Sequence, residues 1–169
     1  FNKDSAYRYI VISDTSWDNT KERKKEKWQE YGWSRSSIDS MKIVISSLFY
    51  EEVRKTHTVS AYSDFMHKHP WAMQYNAVVD TRDSLAFFET VALNSSEAYD
   101  VYVKTYPDSK YKALAEDNFF NAQYYEITSD GKLASYLEFI DEYPSSPMLD
   151  DAERNVFKLV TEPNTVEAF

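Results

Sequence analysis

The 169-residue sequence contains no cysteine. Disulfide frameworks, thiolate metal sites and cysteine nucleophiles are therefore excluded, and an oxidising compartment is permitted without being required. Only two glycines are present, Gly32 and Gly131. So few argue against a β-rich fold full of tight turns and leave no glycine loop to cradle a phosphate. No apolar run approaches the roughly 20 residues that a membrane-spanning helix needs. No signal peptide is visible and the chain begins at Phe1 rather than Met, so an internal segment of a longer protein is expected.

What is abundant is aromatic: 14 Tyr, 10 Phe and 4 Trp in a chain that is 43% hydrophobic. That content is too rich for a disordered tail and predicts a packed core. Tyr suits a surface that is apolar on one side and wet on the other, as between stacked helices. The formal net charge of −9 is unevenly spread. Residues 1–56 hold 11 Lys/Arg against 9 Asp/Glu, a net of +2, and the rest hold 8 against 19, a net of −11. Such acidity speaks against nucleic acid as a partner, because neutralising a phosphate backbone needs clustered cations. The one basic cluster, Lys21 to Lys27, contains Glu22 and Glu26 and reads as a solvated helix face rather than a docking patch.

One motif is written repeatedly. Ala98-Tyr99, Tyr102, Tyr106-Pro107, Ser109, Tyr111 and Ala115 are matched by Ser135-Tyr136, Phe139-Ile140, Tyr143-Pro144, Ser146 and Ala152, 37 residues on. The same step backwards reaches Ala61-Tyr62, Phe65 and His69-Pro70, and one more reaches Trp28. Periods of this size mark stacked repeat architectures. The aromatics fall three and four residues apart, a single helical stripe, and Ala115 and Ala152 offer a small groove for it to pack on. One such hairpin cannot bury its faces alone, so neighbours stack.

The reading is all-α, in helical hairpins, over repeats of about 18–55, 56–91, 92–127 and 128–161. Residues 1–14 and 164–169 are read as parts of flanking repeats. Ser13 to Ser16 reads as a turn after a first helix, with a second starting at Asp18 or Thr20 and ended by Gly32. Ser36 or Ser37 is expected to cap a helix through about Arg54, and Thr58 or Ser60 the next. Further helices are expected near 73–91, 96–106, 109–127, 132–143 and 147–161. Pro107 and Pro144 stop helices. Asp108-Ser109 and Ser145-Ser146 are the expected caps that follow, with Pro147 in a first helical turn. Thr128 to Gly131 and Glu162 to Asn164 are the expected turns between repeats.

At these residues the sequence resembles the tetratricopeptide-repeat (TPR) superfamily, of the divergent bacterial kind. The pattern Ala-Tyr-x-x-Phe-x-x-x-Tyr-Pro-x-Ser followed by Ala is similar to repeats in envelope lipoproteins and periplasmic adaptors. Two departures are Val103 and Ile140 where the family usually has glycine in the first helix, and a period of 37 rather than about 34. The resemblance implies a TPR-like α-solenoid acting as a non-enzymatic protein-interaction scaffold, periplasmic or envelope-associated, binding a protein or peptide. In such stacks the first helix of each hairpin lines the concave face. Carried over, that face shows Ser60, Ser63 and His67, then Glu97, Asp100 and Lys104, then Ala134, Leu137 and Asp141. Ser63, His67, Asp100, Lys104, Leu137 and Asp141 are the candidate partner-binding residues. The face has no ring of Lys or Arg of the kind that clamps a carboxylate terminus.

No catalytic constellation emerges. His67, His69 and His57 form the only cluster that hints at a metal. Residues two apart on a helix face different ways, however, and Lys68 repels a cation. His69 also takes the repeat position of Tyr106 and Tyr143, so packing is its expected role. Glu51-Glu52, Glu116-Asp117, Asp141-Glu142 and Asp150-Asp151 are sequence neighbours on different helix faces, not acid–base pairs. Asn94-Ser95-Ser96 is a formal glycosylation sequon and carries little weight. No metal, cofactor or catalytic residue is expected. The competing expectation is a structural spacer or regulatory arm within a larger enzyme or secretion assembly.

Overall fold

The computed structural model describes residues 2–161, and among these every regular element is an α-helix. In chain order they are α1 (Lys3–Asp18), α2 (Glu22–Gln29), α3 (Arg35–Thr56), α4 (Val59–Lys68), α5 (Tyr75–Leu93), α6 (Ser96–Thr105), α7 (Lys112–Thr128), α8 (Leu133–Glu142) and α9 (Leu149–Thr161). Two compact units divide between Arg82 and Asp83, inside α5. The expected turn at Glu162 to Asn164 and the expected partial repeat at 164–169 lie outside the described residues.

In the first unit α1 packs on α3, and α3 on α4. The core gathers Ile10, Trp17, Ile38 and Ile45, with Tyr7, Met41, Phe49 and Trp71 against it. This burial corrects the expected turn at Ser13 to Ser16, which lies inside α1. Ile10 and Trp17 are seven residues apart, two helical turns, so burying both on one face carries the helix through the polar run. Thr15 helps by donating its hydroxyl to the Val11 carbonyl rather than breaking the helix. Thr20 likewise bonds back to the Ser16 carbonyl, and α2 starts at Glu22, not at Asp18 or Thr20.

Gly32 ends α2 as expected. Its φ is +81°, and the Trp33 N–H to Trp28 carbonyl and Gly32 N–H to Gln29 carbonyl bonds are the paired closures of a Schellman motif. The cap of α3 is Ser34 rather than Ser36 or Ser37. Ser34 Oγ accepts from the Ser37 N–H while Ser37 Oγ accepts from the Ser34 N–H, a reciprocal box that satisfies two helix-end donors. Charge ties α1 to α3. Asp14 lies 2.6 Å from Lys42 and 2.8 Å from Arg35, and Arg35 also reaches Asp18 and Asp39. Burial works against the Asp14 carboxylate, but Lys42 and Arg35 outweigh it and hold its pKa below the usual range.

In the second unit α6 packs on α7, α7 on α8 and α8 on α9. The aromatic stripe is core: Tyr99, Tyr102 and Phe139 are buried, and Ala115 and Ala152 are completely so. Tyr106 and Tyr143 end their helices with closely similar backbone angles, and each accepts a turn bond from the serine of Pro-x-Ser. Those serines do not cap α7 and α9. Ser109 Oγ accepts from the Tyr111 N–H and Ser146 Oγ from the Met148 N–H. Each closes a tight turn, so the helices begin at Lys112 and Leu149, and Pro147 lies in the turn rather than in the helix.

Helices α4, α6 and α8 are each ten residues long and begin at Val59, Ser96 and Leu133, 37 residues apart. Two residues before each start, His57, Asn94 and Gly131 adopt positive φ of 50°, 47° and 66°. The left-handed position thus recurs at the same interval. Asn tolerates it better than most residues with a Cβ. Two of these residues also bond a core tyrosine: His57 Nδ1 lies 3.0 Å from Tyr62 Oη, and Tyr99 Oη donates to Asn94 Oδ1.

Candidate partner-binding surfaces

The six residues expected on a partner-binding face are divided between the units. In the first, Ser63 is half-buried on α4, its hydroxyl donated to the Val59 carbonyl, and His67 is exposed one turn further on. In the second, Asp100 and Lys104 pair along α6 at 2.5 Å, while Leu137 and Asp141 are exposed one turn apart on α8. All six lie on the side of their helices away from the buried aromatics at 62 and 65, 99 and 102, and 139.

The histidines are separated by their environments. His69 is 3% exposed, with ring centroids of Phe49 at 4.4 Å, Tyr7 at 4.7 Å and Phe65 at 5.0 Å. Burial, aided by Lys68 and opposed by Asp4, pushes its pKa down to about 4. It is a neutral packing ring at neutral pH. Among the described residues no group of three or more His, Asp or Glu side chains is placed to hold a metal ion.

A surface that the sequence did not single out lies in the first unit. Two adjoining grooves, of about 800 and 400 Å³, share Ser13 and Trp33. Ile10, Ile38 and Ile45 form their floor. Tyr9, Ile12, Tyr31 and Val44 rise along the sides, and Tyr31 is 73% exposed. The Trp28 ring leans on Trp17 at 6.2 Å and so sets α2 against α1. Gly32 turns the chain directly after α2, which brings Tyr31 and Trp33 to the same mouth.

Lys24 and Lys27 line the larger groove, and no Asp or Glu lines either one. Lys25, by contrast, is held by Glu22 at 2.8 Å and lies over the Trp17 ring. Among the described residues neither Lys24 nor Lys27 is paired with a carboxylate. The basic run is thus one helix whose lysines do different jobs. The signal available in the sequence was the density of Trp28, Tyr31 and Trp33 around a helix stop. What hid the groove is that its floor comes from α1 and α3, far away in the chain.

The chain matches no protein-family model, and comparison with curated proteins and with solved structures found no match either.

Proposed function

We propose that this chain is a TPR-like helical-repeat segment acting as a non-enzymatic protein-interaction scaffold. In this reading α6/α7 and α8/α9 are successive hairpins of a solenoid with a 37-residue period, and α4 opens an earlier copy. The observation that carries it is the recurrence, at one interval, of the left-handed residues at 57, 94 and 131 and the ten-residue helices that follow them. The completely buried positions Val78, Ala115 and Ala152 keep the same interval. Repeated units of this kind build extended surfaces rather than a single enclosed pocket. Envelope association of a bacterial protein is part of the proposal through the family resemblance alone.

The test is site-specific photocrosslinking in cells from two sets of positions, Leu137 and Asp141 on α8 and Tyr31 and Ile12 in the first unit. Adducts to an identified protein from either set support a scaffold. Adducts only to other parts of the same polypeptide would replace it by an intramolecular spacer or regulatory arm. Turnover of a substrate by the purified chain would overturn the non-enzymatic reading.

A further inference from the structure

The double groove of the first unit has a size, a chemistry and a charge that together describe its occupant. Its lining along α1 runs from Ala6 to Trp17, about 16 Å at 1.5 Å per residue, the length of three helical turns. The wall is aromatic and aliphatic, with Trp28, Trp33 and Tyr31 able to supply broad, rigid contact area. An apolar wall rimmed by polar groups has the composition of an interaction site. The two charged groups on its lining, Lys24 and Lys27, are both cationic, in the part of the chain, residues 1–56, whose net charge is +2. A cationic rim selects its partner by sign.

We propose that this groove binds an acidic, amphipathic helical segment of a partner protein. The segment is about three turns long, with apolar side chains over Trp33 and Ile45 and carboxylates facing Lys24 and Lys27. It is a helix-in-groove mode, read as apolar anchors at i, i+3 or i+4, and i+7. The inference rests on the scaffold reading and names one surface and one partner chemistry for it. A membrane surface is disfavoured because the apolar wall is concave, formed by three helices. Glu22, Glu26 and Glu30 on and beside α2 would also meet anionic headgroups.

The probe is a display library of helical peptides of about 14 residues, slightly longer than three turns, selected on the 169-residue chain. The expected winners carry net negative charge and apolar anchors at helical spacing. Their amide-shift footprint should fall on Tyr9, Ile12, Trp33 and Val44. Lys24→Glu with Lys27→Glu, both on exposed side chains, should weaken the leading peptide at least tenfold while circular dichroism stays unchanged. A charge-swapped peptide should recover binding to that variant. No enrichment, neutral or basic winners, equal affinity for the variant, or a footprint in the second unit would each overturn the proposal. So would anionic vesicles binding in place of peptides, or self-association that buries Trp33. If the proposal fails while α8 still crosslinks to an identified protein, the scaffold reading survives. If neither surface captures a protein, both fall.

Discussion

The two units bury their aromatic rings by different rules. In the second, the buried rings of the repeated motif keep fixed offsets: Tyr99 and Tyr102 on α6, Phe139 on α8, with Ala115 and Ala152 on the following helices. In the first, rings from three helices and a loop gather around His69, where Tyr7, Phe49, Phe65 and Trp71 all lie within 6.2 Å of its centroid. A repeated solution needs only local sequence, because the partner sits at a fixed offset. A gathered solution depends on long-range contacts, and it leaves other apolar groups of the first unit exposed at the groove. Order by repetition and order by assembly thus divide the labour between the units.

The comparison breaks most sharply at Phe139. It is completely buried between Tyr124, Tyr143 and Ala152, so Phe139→Ala should cost about 3–5 kcal/mol. Urea unfolding followed by circular dichroism reads this. A loss below about 1 kcal/mol, the scale of a surface change, would mean that the site collapses to fill the void.

The corresponding break in the first unit is made with pH. His69 has a lowered pKa, about 4 against an ordinary 6.5, so the folded state disfavours the charged ring. Its effect is nil above pH 6.5 and becomes a growing destabilisation as pH falls from 6.5 towards 4, reaching about 3 kcal/mol. His69→Phe should remove that component and leave the protein more stable than wild type at pH 4.5. All four Trp lie in the first unit, so tryptophan fluorescence reports on it directly. Equal acid sensitivity in the variant would assign the loss to carboxylates instead.

Between the two rules stands Tyr102. Its hydroxyl donates to the Asp83 carbonyl and meets Ser109 Oγ at 2.7 Å, whereas Phe139 occupies the matching place on α8 without a hydroxyl. Tyr102→Phe imports the α8 solution and removes one hydrogen bond each from the Asp83 carbonyl and Ser109 Oγ, at about 1–2 kcal/mol. An unchanged melting temperature would show that ring burial alone defines the position.

These contrasts explain what the sequence disclosed. The stripe at Tyr99, Tyr102 and Phe139, the small residues at 115 and 152, and a helix start at Thr58 or Ser60, of which Thr58 is the cap, were legible because each depends on residues nearby in the chain. His69 was legible as a packing residue because it takes the repeat position of Tyr106 and Tyr143, although the rings that bury it come from three helices and a loop. Ser13 to Ser16 was misread because burial of Trp17 overrides local turn preference. The left-handed positions at His57 and Asn94 were missed because neither is glycine, although Gly131 marks the register. Lys24 and Lys27 looked like plain solvated surface because nothing near them in sequence reveals the floor supplied by α1 and α3.

The smallest effect sharpens the comparison through two lysines. Lys42 meets Asp14 at 2.6 Å, with both side chains less than a quarter exposed. Lys104 meets Asp100 at a similar distance, but its side chain is 72% exposed. Desolvation makes the loss of one partner costly only in the first case, so Lys42→Gln should cost about 1–2 kcal/mol and Lys104→Gln no more than about 0.5 kcal/mol. The Lys42 effect should also fade on acidification. Asp14 has a lowered pKa, so its contribution is present above the ordinary carboxylate value and lost as pH falls through the depressed one. Matched urea curves at pH 7 and at low pH measure both. Equal costs at pH 7 would show that Asp100 is more sheltered than its exposure indicates. A negligible cost at Lys104 leaves that side chain available for recognition, and partner crosslinking from α8 that weakens in Lys104→Gln at unchanged stability would place it in the contact.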